Sequence, residues 1–243
     1  MRQFTVLGLA ALLAACGGGG DSAPVTRSAA EGLWWPAGIT GNAVVVVLED
    51  GETWGLYINT AQASIETTFH GQSSASGGLV SGAGREFGFV APRTIKPAGY
   101  SGTVKAQNRL ALTFSSSSLL PAATYAYNAA YQGRASLSAL AGTYMGPGVS
   151  AAATEQTLTV TAWPTGAITV PATQGCSAAG SATPRRSGQN VFDVALTFTG
   201  TTCPLGNGAY VSGIGYYDLF SRQFAIMALT PDQSDGFFYL GKK

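Results

Sequence analysis

The chain has 243 residues and a formal net charge of +1, with 46% hydrophobic but only 10% charged residues and 33 glycines. Charged residues usually make up about a quarter of a soluble domain and glycine about 7%. The polar surface is therefore uncharged, and Ser and Thr, roughly a fifth of the chain, suit strands and turns better than charge-laced helices. The near-zero charge argues against a nucleic-acid binder, which shows a basic face, and the length allows one large domain or two small ones.

Arg2 precedes an apolar run from Phe4 to Leu13 that ends in Leu13-Ala14-Ala15-Cys16. The run is about ten residues, half of what a membrane span needs, with small residues before the cut, so residues 1–15 read as a signal peptide. Leu-Ala-Ala-Cys resembles the bacterial lipobox. That resemblance implies that Cys16 is acylated and becomes the mature N-terminus, the protein's partnership with a membrane running through this lipid. An ordinary secretory peptide with an incidental cysteine is the alternative. Gly17, where Asp would signal retention, implies passage to the outer membrane. The stretch Gly17-Gly18-Gly19-Gly20-Asp21-Ser22-Ala23-Pro24 has no apolar periodicity, so residues 16–30 read as a tether spanning roughly 20 Å.

Beyond the tether, period-two alternation predominates and no amphipathic segment is long enough for a substantial helix, which predicts an all-β fold. Gly32-Leu33-Trp34 opens the first half. Asn42 to Glu49 contains four consecutive valines, Val44 to Val47, the pattern of a strand covered on both faces. Asp50-Gly51 predicts a two-residue hairpin turn into Thr53 to Ile58. Half-buried antiparallel strands follow at Ile65-Thr67-Phe69 and at Leu110-Leu112-Phe114. Ser136 to Gly142 suggests one helical turn, and Gly142-Thr143-Tyr144 opens a second half. There Leu158-Val160-Ala162 is a strand, Pro164-Thr165-Gly166 a second hairpin turn, and Phe192-Val194-Leu196-Phe198 another strand. A weak duplication pairs Gly32-Leu33-Trp34 with Gly142-Thr143-Tyr144 and Leu112-Thr113-Phe114 with Leu196-Thr197-Phe198, chance similarity being the alternative. Two tandem antiparallel β-barrel or β-sandwich domains, 31–134 and 135–243, follow from it. Cys176 and Cys203, in a chain bound for an oxidising compartment, are expected to pair; closing a loop of about 28 residues stabilises by roughly 3 to 4 kcal/mol.

Histidine-dependent relays have only His70 to draw on, expected at a strand end on the face opposite Phe69. No Gly-x-Ser-x-Gly elbow, Ser-x-x-Lys pair, phosphate loop or zinc set is present. Glu49, Asp50 and Glu52 cluster at a hairpin tip, and Glu66, Glu86 and Asp193 fall on strand faces expected to be wet; paired carboxylates keep glycoside cleavage open as a minor reading. No metal, cofactor or catalytic residue is assigned. Tyr125, Tyr127 and Tyr131 lie on one face of a predicted strand and form a candidate binding surface, with core packing as the alternative. Tyr210, Tyr216, Tyr217, Phe237, Phe238 and Tyr239 crowd the C-terminal part. Of Trp34 and Trp35, adjacent in a strand, one is expected to stay partly exposed.

Glu31-Gly32-Leu33-Trp34, Val47 to Tyr57, Leu137 to Tyr144, Gly175-Cys176-Ser177, Asn190 to Val194, Cys203 and Ser212-Gly213-Ile214 together resemble a group of two-part lipoproteins of β-proteobacteria. This resemblance implies location and fold and supplies no catalytic residues. The tandem plan is similar, in architecture alone, to bilobed surface lipoproteins such as transferrin-binding protein B and factor H binding protein. A transmembrane barrel competes, since low charge and many tyrosines suit aromatic girdles; the redundant anchor, the Gly241-Lys242-Lys243 end and the paired cysteines weigh against it. The expectation is a non-enzymatic, lipid-anchored outer-membrane lipoprotein, periplasmic or surface-facing, that binds a protein or small ligand and no nucleic acid. An inhibitor of a secreted or host protease or lysozyme is the alternative.

Overall fold

The computed structural model describes residues 27–36, 42–115 and 122–243. Cys16, the signal and most of the tether lie outside them. The first eight strands are β1 (Gly32–Pro36), β2 (Asn42–Val47), β3 (Glu52–Asn59), β4 (Ser64–Ser76), β5 (Leu79–Gly88), β6 (Thr94–Lys105), β7 (Arg109–Ser115) and β8 (Ala123–Tyr127). They pair antiparallel in chain order and close, β8 onto β1, into a barrel. A 3-10 turn (Ala129–Gln132) and a single helical turn, α1 (Leu137–Leu140), lead to the second set. It comprises β9 (Gly142–Ser150), β10 (Ala153–Ala162), β11 (Ala167–Thr173), β12 (Cys176–Pro184), β13 (Phe192–Thr199), β14 (Tyr210–Asp218), β15 (Gln223–Leu229) and β16 (Gly236–Lys242). These close into a second barrel as β16 pairs with β9. The fold is all-β, and of the two architectures expected it is the barrel.

Alternation decides what fills each barrel. Trp34, Val45, Val47, Phe69, Tyr100, Leu110, Leu112 and Tyr125 point into the first. Phe69, Tyr100 and Phe114 meet edge-on or tilted at centroid distances of 5.1 to 5.6 Å, the geometry aromatic quadrupoles favour. Gly82 makes room for this: a Cβ there would lie 2.4 Å from the Tyr100 ring, whose hydroxyl donates to Thr53 Oγ1 at 2.9 Å. The second barrel is filled by Tyr144, Val160, Ile168, Phe192, Val194, Leu196, Phe224 and Tyr239 among others. Its outward faces away from the first barrel carry Thr157, Thr159, Thr161, Asp193, Thr197 and Ser212, half-buried or exposed, where a lipid-facing barrel carries an apolar band.

The valine run is covered on both faces. Val45 and Val47 face the interior, while Val44 and Val46 face outward into a second apolar cluster. That cluster joins Val44, Val46, Trp54, Leu56, Ile58, Ile65 and Phe87 of the first barrel to Val149, Ile214, Tyr216, Met227, Leu229 and Phe238 of the second. The barrels therefore share an apolar seam. Its polar margin includes Glu155 Oε2 accepting from the Ile65 amide at 2.5 Å and Arg185 Nε donating to Glu49 at 3.0 Å.

Several sequence expectations change in detail. Both hairpin turns have three residues instead of two: Leu48 N–H bonds Glu52 O, Trp163 N–H bonds Ala167 O, and Gly51 and Gly166 each take φ +88°. This is a type I turn closed by a left-handed glycine. Ile65 leaves the face of Thr67 and Phe69, because the ladder slips between Tyr57–Thr67 and Ile58–Ile65 and skips Glu66. A bulge of this kind flips side chains beyond it. The duplication is structural at the start of each barrel. Gly32 and Gly142 open β1 and β9 with φ of +155° and +153°. Trp34 then donates to the Ala30 carbonyl at 2.9 Å, and Tyr144 to the Leu140 carbonyl, each four residues back. The two Leu-Thr-Phe segments do not correspond, as one lies in the seventh strand of its barrel and the other in the fifth.

Candidate functional site

The tyrosine face does not form a surface. Tyr125 and Tyr127 share a face of β8, but that face is the barrel interior; Tyr125 is 2% exposed, and burial pushes its hydroxyl up to about 12. Tyr127 is half-buried, 5.3 Å from the Trp34 ring, with its own ring over Gly32. The strand ends at Tyr127, so Tyr131 sits in the 3-10 turn. It is buried with its hydroxyl within 3.3 Å of Glu31 Oε1 and 3.4 Å of Val47 O. Burial first, then the neighbouring carboxylates, hold that hydroxyl far above the usual tyrosine range. In a closed barrel one face of every strand is interior, which alternation alone does not identify.

The carboxylates also separate. Glu49 and Asp50 lie with Asp193 around the Arg185 guanidinium, at 3.0, 3.6 and 2.7 Å. His70 lies within β4 and not at a strand end; its Nε2 is 3.0 Å from Glu52 Oε1 and its ring 4.1 Å from that of Trp54. Glu66 accepts from Asn59 Nδ2 at 2.7 Å. Glu86, expected on a wet face, is fully buried: paired in register with Phe69, it points into the first barrel, with Lys96 Nζ at 3.6 Å and no hydrogen bond to either carboxylate oxygen.

A concave apolar site lies elsewhere, at one mouth of the second barrel. Val149, Leu158, Val170, Ala178, Phe198, Leu205 and Phe237 line a half-open cavity of about 70 Å³ whose lining contains no charged side chain. Gly148 keeps one wall open, since a Cβ there would lie 2.5 Å from Leu158 Cδ1. Ser150 is among the lining residues, and its Oγ is buried without a hydrogen-bond partner. The β13–β14 connection forms the cover. Cys203 pairs with Cys176 on β12, as expected from the compartment, and Thr202 Oγ1 donates to the Gln174 carbonyl at 2.7 Å. Cys203 is buried, and Leu205 packs onto the barrel core. The sequence marks the bridge but not the cavity, because a filled and a hollow barrel show the same alternation.

No family model matches the chain, and no curated protein does. Among solved structures it is similar to a presumed outer membrane protein of Bacteroides fragilis NCTC 9343, at 12% identity over 88% of this chain and 96% of that one, with a TM-score of 0.25. Similarity that low carries no argument about fold or function.

Proposed function

We propose that the chain is a lipid-anchored outer-membrane protein acting as a non-catalytic binding module of the envelope, and that its second barrel takes the end of one linear alkyl chain. The cavity beneath the bridged loop carries this reading. Uncharged walls favour an apolar guest. A space of about 70 Å³ is half that of the engineered cavity, about 150 Å³, that admits benzene, so a narrow chain end suits it better than a ring. The anchor half of the proposal rests on Leu13-Ala14-Ala15-Cys16 and is read by the mass of the N-terminal peptide.

Enzyme inhibition draws support from the same bridge, which stiffens the β13–β14 loop. That loop turns inward, with Cys203 buried and Leu205 on the core, which favours a cover over a probe for another protein's cleft. The test is titration with a linear polyene fatty acid whose emission rises in apolar surroundings. The expected result is a saturable 1:1 signal weakened at least fivefold by Ala178→Leu, which grows into the cavity. Emission that does not saturate, or is unchanged in the variant, would overturn the reading.

A further inference from the structure

The mouth with the cavity has an opposite end, and its surface is of a different kind. Antiparallel alternation brings the β10–β11, β12–β13 and β14–β15 turns there, with the C-terminus and α1. The β14–β15 tip presents Leu219 at 59% and Phe220 at 91% exposure, and the β10–β11 turn presents Trp163 at 50%. The tip is braced: buried Asp218 accepts from the Phe220 amide at 2.9 Å and from Ser221 Oγ at 2.7 Å. Nothing in the turn's own geometry requires a phenylalanine in water.

Beside the tip stand Arg222, Lys242 and Lys243, linked by the Gln223–Lys242 pairing and the Lys243 amide bond to Arg222 O. None of the three pairs with a carboxylate among the described residues. Acids at this end are engaged: Glu31 with Arg27; Glu49, Asp50 and Asp193 with Arg185; Asp218 within its own turn. Lys243 Nζ donates to the Ala139 and Ala141 carbonyls at 2.7 and 2.9 Å and lies 4.5 and 5.2 Å from the centroids of the Tyr217 and Tyr144 rings, so the barrel's own end engages it. The chain also enters at this end, where Arg27 donates to Ser187 O in the β12–β13 turn at 3.1 Å. Ten residues lie between Cys16 and Arg27, a reach of at most about 40 Å over the eleven Cα–Cα steps.

We infer that this end of the second barrel lies against a phospholipid surface, with Leu219, Phe220 and Trp163 in the interface and Arg222 and Lys242 facing anionic head groups. Aromatic and aliphatic side chains flanked by cations are the chemistry of interfacial contact. The inference rests on the anchored reading for its orientation, and it turns the cavity mouth away from the bilayer.

Trp163 is the native reporter, because Trp34 and Trp54 are buried and Trp35 half-buried. The full chain is reconstituted into phosphatidylcholine–phosphatidylglycerol vesicles, held by its acyl groups or by the Phe4–Leu13 run, whichever it carries. Emission is compared between plain and brominated acyl chains, with Trp163→Phe isolating the component. The expected result is at least a twofold loss of Trp163 emission in brominated vesicles, abolished by Leu219→Ser/Phe220→Ser. Equal emission in both vesicle types, or quenching that survives the double substitution, would overturn the inference. Concentration-dependent dimerisation lost in that variant without bromine-dependent quenching would assign the tip to a second copy of the chain. The mass of the N-terminal peptide reports separately whether Cys16 is acylated, so failure of the anchor and failure of the docking are told apart.

Discussion

Inside the first barrel, Glu86 is a charge taken fully out of water, and Lys96 at 3.6 Å is its ion-pair partner among the described residues. Removing one member of such a pair leaves the other stranded, which costs more than the pair contributes. Lys96→Met is expected to lower unfolding stability in urea by about 2 kcal/mol, below the usual range because Lys96 is partly exposed. Glu86→Gln/Lys96→Met should return to within about 1 kcal/mol of the parent. Glu155 makes the opposite case at the seam. Burial raises its carboxyl above the usual value, only partly countered by the bond from the Ile65 amide. The folded state then holds the proton more tightly than the unfolded one, so stability from this group falls as pH rises from the unfolded value near 4.5 through the raised folded one. Glu155→Gln, which still accepts from Ile65, is expected to melt above the parent at pH 7, with the difference closing below about pH 4. Melting curves at both pH values check the sign.

At the level of elements, the bridged β13–β14 loop is the part on which the site depends. Cys176→Ser/Cys203→Ser frees a loop of 27 residues' separation and is expected to cost about 3 kcal/mol by chemical denaturation. Leu205 would lose its tether and the cavity its cover, so the polyene signal should weaken in the same variant. The bridge was legible in the sequence because an N-terminus that reads as an export signal implies an oxidising compartment, where two cysteines pair. Val44 to Val47 was equally legible, since four valines in a row leave neither face for water. Tyr125 and Tyr127 were legible as sharing a face but not as facing inward, because that assignment depends on how eight strands close. Glu86 misled for the same reason: a carboxylate in an alternating strand reads as wet until its register with Phe69 is known. Ile65 was lost to a bulge that the sequence does not announce.

The described residues form two barrels joined by an apolar seam. With Val46, Phe87, Met227 and Phe238 buried between them, each at roughly 1.5 to 3 kcal/mol of apolar burial, the barrels are expected to unfold in one calorimetric transition. Val44→Asp/Val46→Asp places unpaired charge in the seam and should split it into two. The same packing fixes polarity along the second barrel, with the capped mouth at one end and the Phe220 tip with its cations at the other.

The most direct test is methyl NMR of the uniformly folded chain titrated with a short linear alcohol such as 1-hexanol. Saturable shifts centred on Leu158, Val170 and Leu205, absent from Leu110 and Leu112 of the first barrel and lost in Ala178→Leu, are the predicted result. Shifts that grow linearly without saturation, or that spread equally over both barrels, would contradict a binding site at the second barrel's mouth.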